Sequence, residues 1–278
     1  MTREEKLERI KSRQWYHSIV VEDDLITPGA HSLAELRQTL ERLQLPARLD
    51  GLSILDIGAW DGYFSFEAER RGARRVVAYD VSPADYFGFS TAKEILGSKV
   101  EYVQGSVYDL RKAQIGTFDI VLFAGVLYHL RYPLLALDRI YAICDGYMLL
   151  ETHCLDNFVL LDDGHVTTLA RIDPCLERIP LYRFYATNEL NRDYSNWFAP
   201  NRRAIEDGLR TAGFAPTLLS EWGDRVVYRA VKQDGVPEYL QETYEGLFVK
   251  GADGVVRNTY PRTRPSHPAS RVEGDEVR

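Results

Sequence analysis

Two acidic residues and two glycines follow one short apolar run and form the first candidate ligand site. Residues 56–62 have the pattern Asp-x-Gly-x-x-Asp-Gly, in which the acids are Asp56 and Asp61 and the glycines are Gly58 and Gly62. The next residues have the pattern of a helix, and open α/β sheets bind ligands beside such a helix N-terminus. Glycines let the backbone approach a ligand closely. Because two carboxylates replace part of the Gly-x-Gly-x-x-Gly pattern, the loop suits a cationic ligand better than a pyrophosphate.

A third carboxylate, Asp80, ends the apolar run 75–80 about twenty residues further on, where a Rossmann-like site places an acid on the ribose hydroxyls. Together these positions resemble the S-adenosylmethionine site of the Rossmann-like methyltransferases. The resemblance implies S-adenosyl-L-methionine as cofactor, with contacts from the loop after the third strand and from the end of the fourth. The expected cofactor-binding residues are Asp56, Gly58, Asp61, Gly62, Asp80, Ser106, Val107 and Ala124.

Three residues follow the fourth and fifth strand candidates and are candidates for catalysis: Tyr128, His129 and His153. A histidine at such a strand end is able to act as a general base near neutral pH. It is equally able to hold a loop by hydrogen bonds, and the sequence leaves both roles open. His129 ranks above His153 because, in the resembled family, its loop lies next to the methionine end of the donor. No spacing diagnostic of a metal site is present.

These residues need an α/β fold to bring them together. Alternating strand and helix patterns predict a parallel sheet whose strand ends meet at one edge. The strand candidates are 52–57, 75–80, 99–103, 118–124 and 146–152, and the helix candidates between them are 61–71, 84–96 and 133–143.

The chain is predicted to have three parts. Residues 1–48 form an N-terminal helical cap or lid, because both Thr-Arg-Glu-Glu at 2–5 and Ser-Leu-Ala-Glu at 32–35 fit capping boxes. Residues 49–232 form the methyltransferase domain, with an insertion after strand five at about 154–200. Residues 233–278 are predicted to hold one helix, within 236–249, and then a flexible tail beyond Gly251.

An ordered set of motifs is similar to the family of the tRNA wobble-uridine carboxymethyltransferase. The motifs are Gly-Val-Leu-Tyr-His at 125–129, Leu-Leu-Glu-Thr-His at 149–153, Tyr-Ser-Asn-Trp at 194–197 and Ala-Gly-Phe at 212–214. The similarity covers roughly residues 15–231. It implies a seven-stranded sheet with an antiparallel last strand, and residues 216–221 and 225–231 fit the two final strands.

The insertion and the N-terminal aromatic residues are the candidate acceptor site. Long segments without periodicity inside a domain are usually lids or binding loops. The aromatic cluster at 15–17 is interpreted as either a lid over the cofactor or a packing plug. The expected substrate-binding residues are Trp15, Tyr16, His17, Arg183, Tyr185, Asn188, Trp197 and Arg225.

Composition limits the classes of partner. The chain of 278 residues has a formal net charge of −7, so no overall attraction to nucleic acid or anionic membrane is expected. Three cysteines without paired spacing and a charged N-terminus favour a reducing, cytoplasmic setting without a signal peptide. The oligomeric state stays open, a homodimer included.

Three functions remain open at this point. The first is methylation of a hydroxyl on a small-molecule acceptor, a sugar or natural product. The second is tRNA wobble-uridine modification, which in the resembled branch uses a carboxylated donor. That branch has a lysine in a Lys-Gly-Pro-Phe segment where this chain has aromatic residues and His17, whereas Tyr128 and an arginine at 225 are kept. The third is a non-catalytic cofactor-binding module.

Overall fold

A seven-stranded sheet lies at the centre of the molecule in a computed structural model, which describes residues 1–161, 163–234, 248–250 and 256–258. Its strands in chain order are β1 Ser53–Ile57, β2 Arg75–Asp80, β3 Glu101–Gln104, β4 Phe118–Ala124, β5 Cys144–His153, β6 Phe214–Trp222 and β7 Arg225–Lys232. Their order across the sheet is β6-β7-β5-β4-β1-β2-β3, and β7 runs antiparallel to both neighbours. The predicted α/β fold with an antiparallel last strand is confirmed.

The central strands are continuous apolar runs because both faces of the sheet are covered. All five residues of β1 are buried, and Leu55 and Val77 belong to the core on one face while Ile54 and Val76 belong to the core on the other. Strands buried on both faces have this composition, which explains why their bounds were predictable to within about two residues.

Eight α-helices are described: α1 Arg3–Lys11, α2 Leu33–Leu43, α3 Tyr63–Arg70, α4 Phe89–Leu96, α5 Lys112–Ile115, α6 Pro133–Ile143, α7 Leu169–Ile172 and α8 Arg202–Thr211. Both predicted capping boxes form, at Thr2 with Glu5 and at Ser32 with Glu35. The helix predicted over 84–96 begins only at Phe89, because the loop before it is held by a hydrogen bond from the Gly88 N–H to Asp61.

The insertion between β5 and α8 has a small core of its own. Two strand pairs cross it, Val159–Leu160 with Val166–Thr167 and Tyr182–Phe184 with Phe198–Pro200. Its buried apolar residues form a separate cluster that includes Tyr185, Leu190 and Ala199. The Leu155 N–H donates to the Pro200 carbonyl at 2.9 Å, so the two ends of the insertion are neighbours.

The C-terminal predictions are tested only in part. Residues 236–247 of the predicted helix and most of the predicted tail lie outside the described residues. Phe248–Lys250 forms a strand paired with Val256–Asn258, so the helix prediction is wrong for its last two residues. Among the described residues, no helix combines the length and the apolar character needed to cross a bilayer.

Candidate functional site

Asp80 lies at the carboxyl end of β2 and organises the loops on both sides of the predicted cofactor cleft. Its Oδ2 accepts from the Trp60 N–H at 2.9 Å and its Oδ1 accepts from the Ser82 N–H at 2.8 Å. Each carboxylate oxygen has a further lone pair, so the group is able to accept two more hydrogen bonds. Trp60 has a left-handed backbone with φ of 51°, which is uncommon for a bulky residue.

Position 58 requires glycine, because the Asp-x-Gly loop packs there against the loop that follows β4. Its φ is +76°, its N–H donates to the Tyr79 carbonyl at 2.8 Å, and a Cβ would lie 2.4 Å from Cγ2 of Val126. Gly62 has φ of +89°, and a Cβ there would lie 2.6 Å from the Phe89 ring. The absence of a side chain at Gly62 therefore lets the backbone pack closely against aromatic side chains.

The loop after β3 closes the other side of the cleft. The Ser106 carbonyl accepts from the Tyr79 hydroxyl at 3.0 Å, and the Ser106 hydroxyl caps the short helix Val107–Asp109. Val107 is buried and Ala124 is the half-buried last residue of β4. Val81, directly after Asp80, is 70% exposed, and an apolar surface in that place suits a purine face. Trp60 and Val81 were not among the residues predicted from the sequence, and their positions next to Asp80 make both of them further candidates for contact with the cofactor.

The two acids of the Asp-x-Gly loop do not face an open cleft. Asp61 is fully buried, with Oδ2 accepting from the N–H groups of Tyr16 at 2.6 Å and His17 at 2.9 Å, and Oδ1 accepting from Gly88 at 2.9 Å. Asp56 is buried and bound by the Ser65 hydroxyl at 2.6 Å, and burial raises its pKa to about 7. The structure therefore contradicts the expectation that these two acids attract a cationic ligand. Instead, they hold neighbouring segments together by hydrogen bonds.

The three residues of the N-terminal aromatic cluster differ in burial: Trp15 and His17 are buried, whereas Tyr16 is exposed. Trp15 is buried against Gly88 and its indole N–H donates to the Ile10 carbonyl at 2.8 Å, so it packs and does not reach an acceptor. His17 is buried too, and burial lowers its pKa to about 3, which keeps it neutral at pH 7. Tyr16 is 42% exposed, and its ring contacts Trp60 at a centroid distance of 5.2 Å. Only the middle residue of the three therefore borders the cleft.

Tyr128 and Arg225 lie together at the carboxyl edge of the sheet. Nη2 of Arg225 donates to the Tyr128 hydroxyl at 3.0 Å, and the guanidinium carbon lies 4.7 Å from the ring centroid. Nη1 lies 3.4 Å from Oε1 of the buried Glu151 and makes no hydrogen bond. Burial raises the pKa of Tyr128 to about 12, so its phenol stays protonated at neutral pH.

His129 has one ring nitrogen occupied and the other open. Nδ1 lies 2.9 Å from the Ser195 hydroxyl and 3.3 Å from the Ser195 carbonyl. Nε2 makes no hydrogen bond with another described residue, and the histidine as a whole is half-buried. Burial lowers the pKa of His129, while the Ser195 hydrogen bond and the charge of Asp193 oppose that effect. An imidazole that is neutral at pH 7 with one open nitrogen meets the requirement for a general base.

His153 has a structural environment in place of the predicted catalytic one. Its ring is 1% exposed, Nδ1 contacts Asp224 at 2.8 Å and Nε2 contacts the Tyr185 hydroxyl at 3.1 Å. Both nitrogens are occupied, so no lone pair is open to an acceptor. We therefore assign His153 to fastening the insertion, through Tyr185, onto the end of β5.

The predicted acceptor residues of the insertion are not all brought together. Trp197 lies next to Tyr128, since its backbone N–H donates to the Tyr128 carbonyl at 2.8 Å, and Arg131 covers its ring at 4.5 Å. Tyr185 is buried beneath that surface, with Arg183 at 5.2 Å from its ring. Asn188 lies half-buried in the loop that follows Tyr185 and bonds no other described residue.

The sequence comparison decides the family. Residues 30–219 match the family model described as a methyltransferase domain. The chain belongs to this family. It is a class I, S-adenosylmethionine-dependent methyltransferase, and the Asp80 carboxylate, the Gly58 turn and the Val81 surface fit that cofactor.

Relatives with curated names share part of the methyltransferase's length. A tRNA U34 carboxymethyltransferase of Desulforapulum autotrophicum is 27% identical over 237 residues, covering 82% of this chain and 66% of the relative. The protein of the same name from Shewanella pealeana is 32% identical over 224 residues, covering 76% and 60%. The chain thus spans less than two thirds of the length of these relatives. Because these relatives are named for tRNA, the expectation that nucleic acid is an unlikely partner is not supported.

Solved structures confirm the fold of the methyltransferase. The N-terminal domain of EvdMO1, solved in the presence of SAH and D-fucose, has a TM-score of 0.58 at 20% identity and covers 84% of this chain and 97% of that one. A putative S-adenosylmethionine-dependent methyltransferase from Listeria monocytogenes has a TM-score of 0.55 at 15% identity, covering 72% and 100%.

Replacing Asp80 by alanine is expected to weaken S-adenosylmethionine binding by about ten- to a hundredfold, because charge-assisted hydrogen bonds to the ribose are worth about 1.5–3 kcal/mol. Isothermal titration calorimetry on the folded variant measures this. Asp145→Ala is the matched control, because Asp145 is an exposed acid at the opposite, amino end of β5. Unchanged affinity in Asp80→Ala would remove Asp80 from the site.

Proposed function

We propose that the methyltransferase transfers a methyl group to a hydroxyl of a small-molecule acceptor, a sugar or another natural product. The observation that carries this proposal is the open Nε2 of His129 beside Tyr128, Arg225 and Trp197. S-adenosylmethionine supplies an activated methyl group, whose transfer leaves a neutral thioether. An alcohol needs a base to remove its proton as the oxygen attacks the methyl carbon, and His129 supplies that base.

The remaining residues around this position orient the reactants. Tyr128 and Arg225 present a phenol and a guanidinium at the edge of the sheet, and Trp197, one face of which is covered by Arg131, is the aromatic residue that we expect beside the acceptor. In-line displacement depends chiefly on alignment of nucleophile, carbon and leaving sulfur. Tyr16 of the N-terminal segment belongs to the same group of residues, because the charges of Arg225, Glu151 and Asp193 all act on the pKa of its hydroxyl.

Charge supports a small acceptor over tRNA. The insertion from 154 to 200 carries seven acidic side chains and four arginines. Proteins that bind nucleic acid neutralise phosphates with lysine and arginine, and the excess of acidic residues in the insertion opposes this.

Transfer of label from tritiated S-adenosylmethionine to cell extract tests the acceptor class. Label in small, nuclease-resistant material supports the proposal, whereas label released by RNase treatment contradicts it in favour of tRNA. Incubation with His129→Gln is the matched control, since it keeps the cofactor site and removes the base.

The second candidate is tRNA U34 modification with a carboxylated donor. The names of the curated relatives favour it, and so does the buried Nη1 of Arg225, which lacks a hydrogen bond and is able to meet an anion. Two features oppose it: His17 is neutral, and Glu151 compensates the charge of Arg225 at 3.4 Å. A buried carboxylate without a compensating cation is costly.

Competition between the two donors distinguishes these candidates. S-adenosylmethionine is expected to bind at least about tenfold more tightly than the carboxylated donor, which corresponds to about 1.4 kcal/mol. Displacement of a labelled product analogue from purified protein measures both affinities. Glu151→Gln should reduce the difference between the two affinities, because the charge of Arg225 is then no longer compensated by Glu151 and is able to meet the donor's carboxylate. Tighter binding of the carboxylated donor to the wild-type protein would overturn the proposal for a plain methyl donor.

A further inference from the structure

The loop at 190–196 presents two polar residues to His129. The Ser195 hydroxyl lies 2.9 Å from Nδ1 of His129 and 2.6 Å from Oδ1 of Asp193. The same Asp193 oxygen accepts from the Ser195 N–H at 2.8 Å. Asp193, Ser195 and His129 therefore form one continuous chain of hydrogen bonds that ends at the imidazole.

The loop is built to hold this chain in place. The Asn196 side chain is 2% exposed, and its amide donates to the carbonyls of Leu190 at 2.9 Å and Asp193 at 3.2 Å. Asn191 and Arg192 both have left-handed backbones, with φ of 56° and 57°. Such conformations persist only where the surroundings determine them. The neighbouring Trp197 N–H fixes the end of the loop to the carbonyl of Tyr128, beside His129 itself.

Counting protons sets the direction of the hydrogen bonds. A serine hydroxyl has one proton, and a carboxylate is able only to accept, so Ser195 donates to Asp193. The contact between Ser195 and His129 then needs a donor on the imidazole, which is Nδ1–H. The neutral ring carries one proton, and Nε2 is left with a lone pair that no described residue occupies.

We propose that Asp193 and Ser195 are positioning residues that hold His129 as the Nδ1–H tautomer, so that Nε2 receives the proton of the acceptor hydroxyl. The inference rests on the proposed function and adds two residues to it. When Nε2 takes the proton, the bond from acceptor oxygen to hydrogen breaks and the imidazolium forms with both nitrogens protonated. Asp193 then stabilises the new positive charge through Ser195.

Groups on different elements act on the pKa of His129. Burial has the largest effect and lowers the pKa, as does the charge of Arg225 on β7, whereas the hydrogen bond with the Ser195 backbone and the charge of Asp193 raise it. The neutral Tyr128 ring lies beside the imidazole, at a centroid distance of 4.3 Å. Removing the Asp193 charge should therefore lower the pKa of His129 further.

Imidazole NMR of the full chain, with S-adenosylhomocysteine added, tests the tautomer without an acceptor. Long-range ¹⁵N–¹H correlation spectra distinguish the two neutral tautomers, and His129→Gln assigns the signal among the six histidines. The expected result is the Nδ1–H form. Asp193→Asn should lower the pKa of His129, because the charge of the Asp193 carboxylate raises it. Ser195→Ala should weaken the preference for that tautomer, and Ser195→Thr should restore it.

Asp163→Asn is the matched control, because Asp163 accepts from the His165 N–H at 2.9 Å in the same two-residue arrangement but contacts no imidazole nitrogen. It should leave the pKa of His129 unchanged. With the acceptor found by labelling, Asp193→Asn should lower kcat by roughly tenfold and shift the acid limb of the rate profile to lower pH.

Two NMR results would overturn the inference: an Nε2–H tautomer in the wild-type protein, or an unchanged pKa in Asp193→Asn. An unchanged pKa in Asp193→Asn leaves the base assignment intact as long as His129→Gln is inactive, because it bears only on the positioning residues. An Nε2–H tautomer would in addition remove Nε2 as the base, because the protonated nitrogen has no lone pair. Wild-type turnover in His129→Gln would instead overturn the assigned base, which separates that failure from a failure of the positioning residues.

Discussion

His129→Gln is expected to lower kcat by about 10²–10⁴-fold, the usual contribution of a general base. Affinity for S-adenosylmethionine should change little, because the residues that we expect to contact the ribose and adenine lie at the ends of β2 and β3. Glutamine keeps a polar side chain of similar length, so the insertion should stay attached. Steady-state kinetics and calorimetry on the same preparation measure the two effects separately.

The pH dependence gives an independent check on His129. The neutral imidazole is the active form, and burial lowers its pKa below the ordinary value. The rate should therefore stay on its plateau at neutral pH and decline only below about pH 6.5, as the ring becomes protonated. His165→Gln, an exposed histidine of the insertion, is the control for loss of a histidine. Normal turnover in His129→Gln would show that His129 is not the base.

Asp61→Ala is expected to lower the free energy of unfolding by about 3–5 kcal/mol. The substitution leaves the buried N–H groups of Tyr16, His17 and Gly88 without an acceptor, and each such group costs about 1–3 kcal/mol. Because two of these groups belong to the N-terminal segment, hydrogen exchange at residues 15–19 should rise before the sheet unfolds. Urea titration monitored by circular dichroism measures the global change.

The control for Asp61→Ala is Asp50→Ala. Asp50 is an exposed acid paired with Arg48, with 61% and 85% of the two side chains accessible, and its loss should leave the urea midpoint unchanged. An Asp61→Ala protein that unfolds at the wild-type urea concentration would show that the N-terminal segment is held by other contacts. In that case Trp15, which packs against Gly88, is the first residue to test.

The sheet was predictable because its sequence signals are local. Strands β2 and β4 have the predicted bounds of 75–80 and 118–124, since uninterrupted apolar runs are typical of strands covered on both faces. Asp80 and Gly58 followed from spacing alone. The start of α4 did not, because it depends on a hydrogen bond from Gly88 to Asp61, which lies 27 residues away.

The roles of the polar residues were less predictable, because their partners are distant in sequence. His153 ends a strand as His129 follows one, but its nitrogens are occupied by Asp224 and Tyr185, at separations of 71 and 32 residues. Asp193 and Ser195 were missed for the same reason. Asp-x-Ser is a common turn pattern, and nothing in it indicates that His129 lies beside it, 66 residues from Ser195.

The adjacent ends of the insertion have a consequence for how this scaffold changes over evolution. Since Leu155 and Pro200 are joined by a backbone hydrogen bond, the polypeptide leaves the sheet and returns at nearly the same point. A replacement segment of different length is able to leave and rejoin at this point if it restores the contacts with His153 of β5 and Arg202 of α8, which Tyr185 and Asp156 make here. The proposed cofactor-binding residues lie outside the exchanged segment, whereas Asp193 and Ser195 are carried with it. Recombination at this junction would thus exchange the proposed acceptor-binding residues of the insertion together with those that position His129, and chimaeras joined near these two residues test that idea.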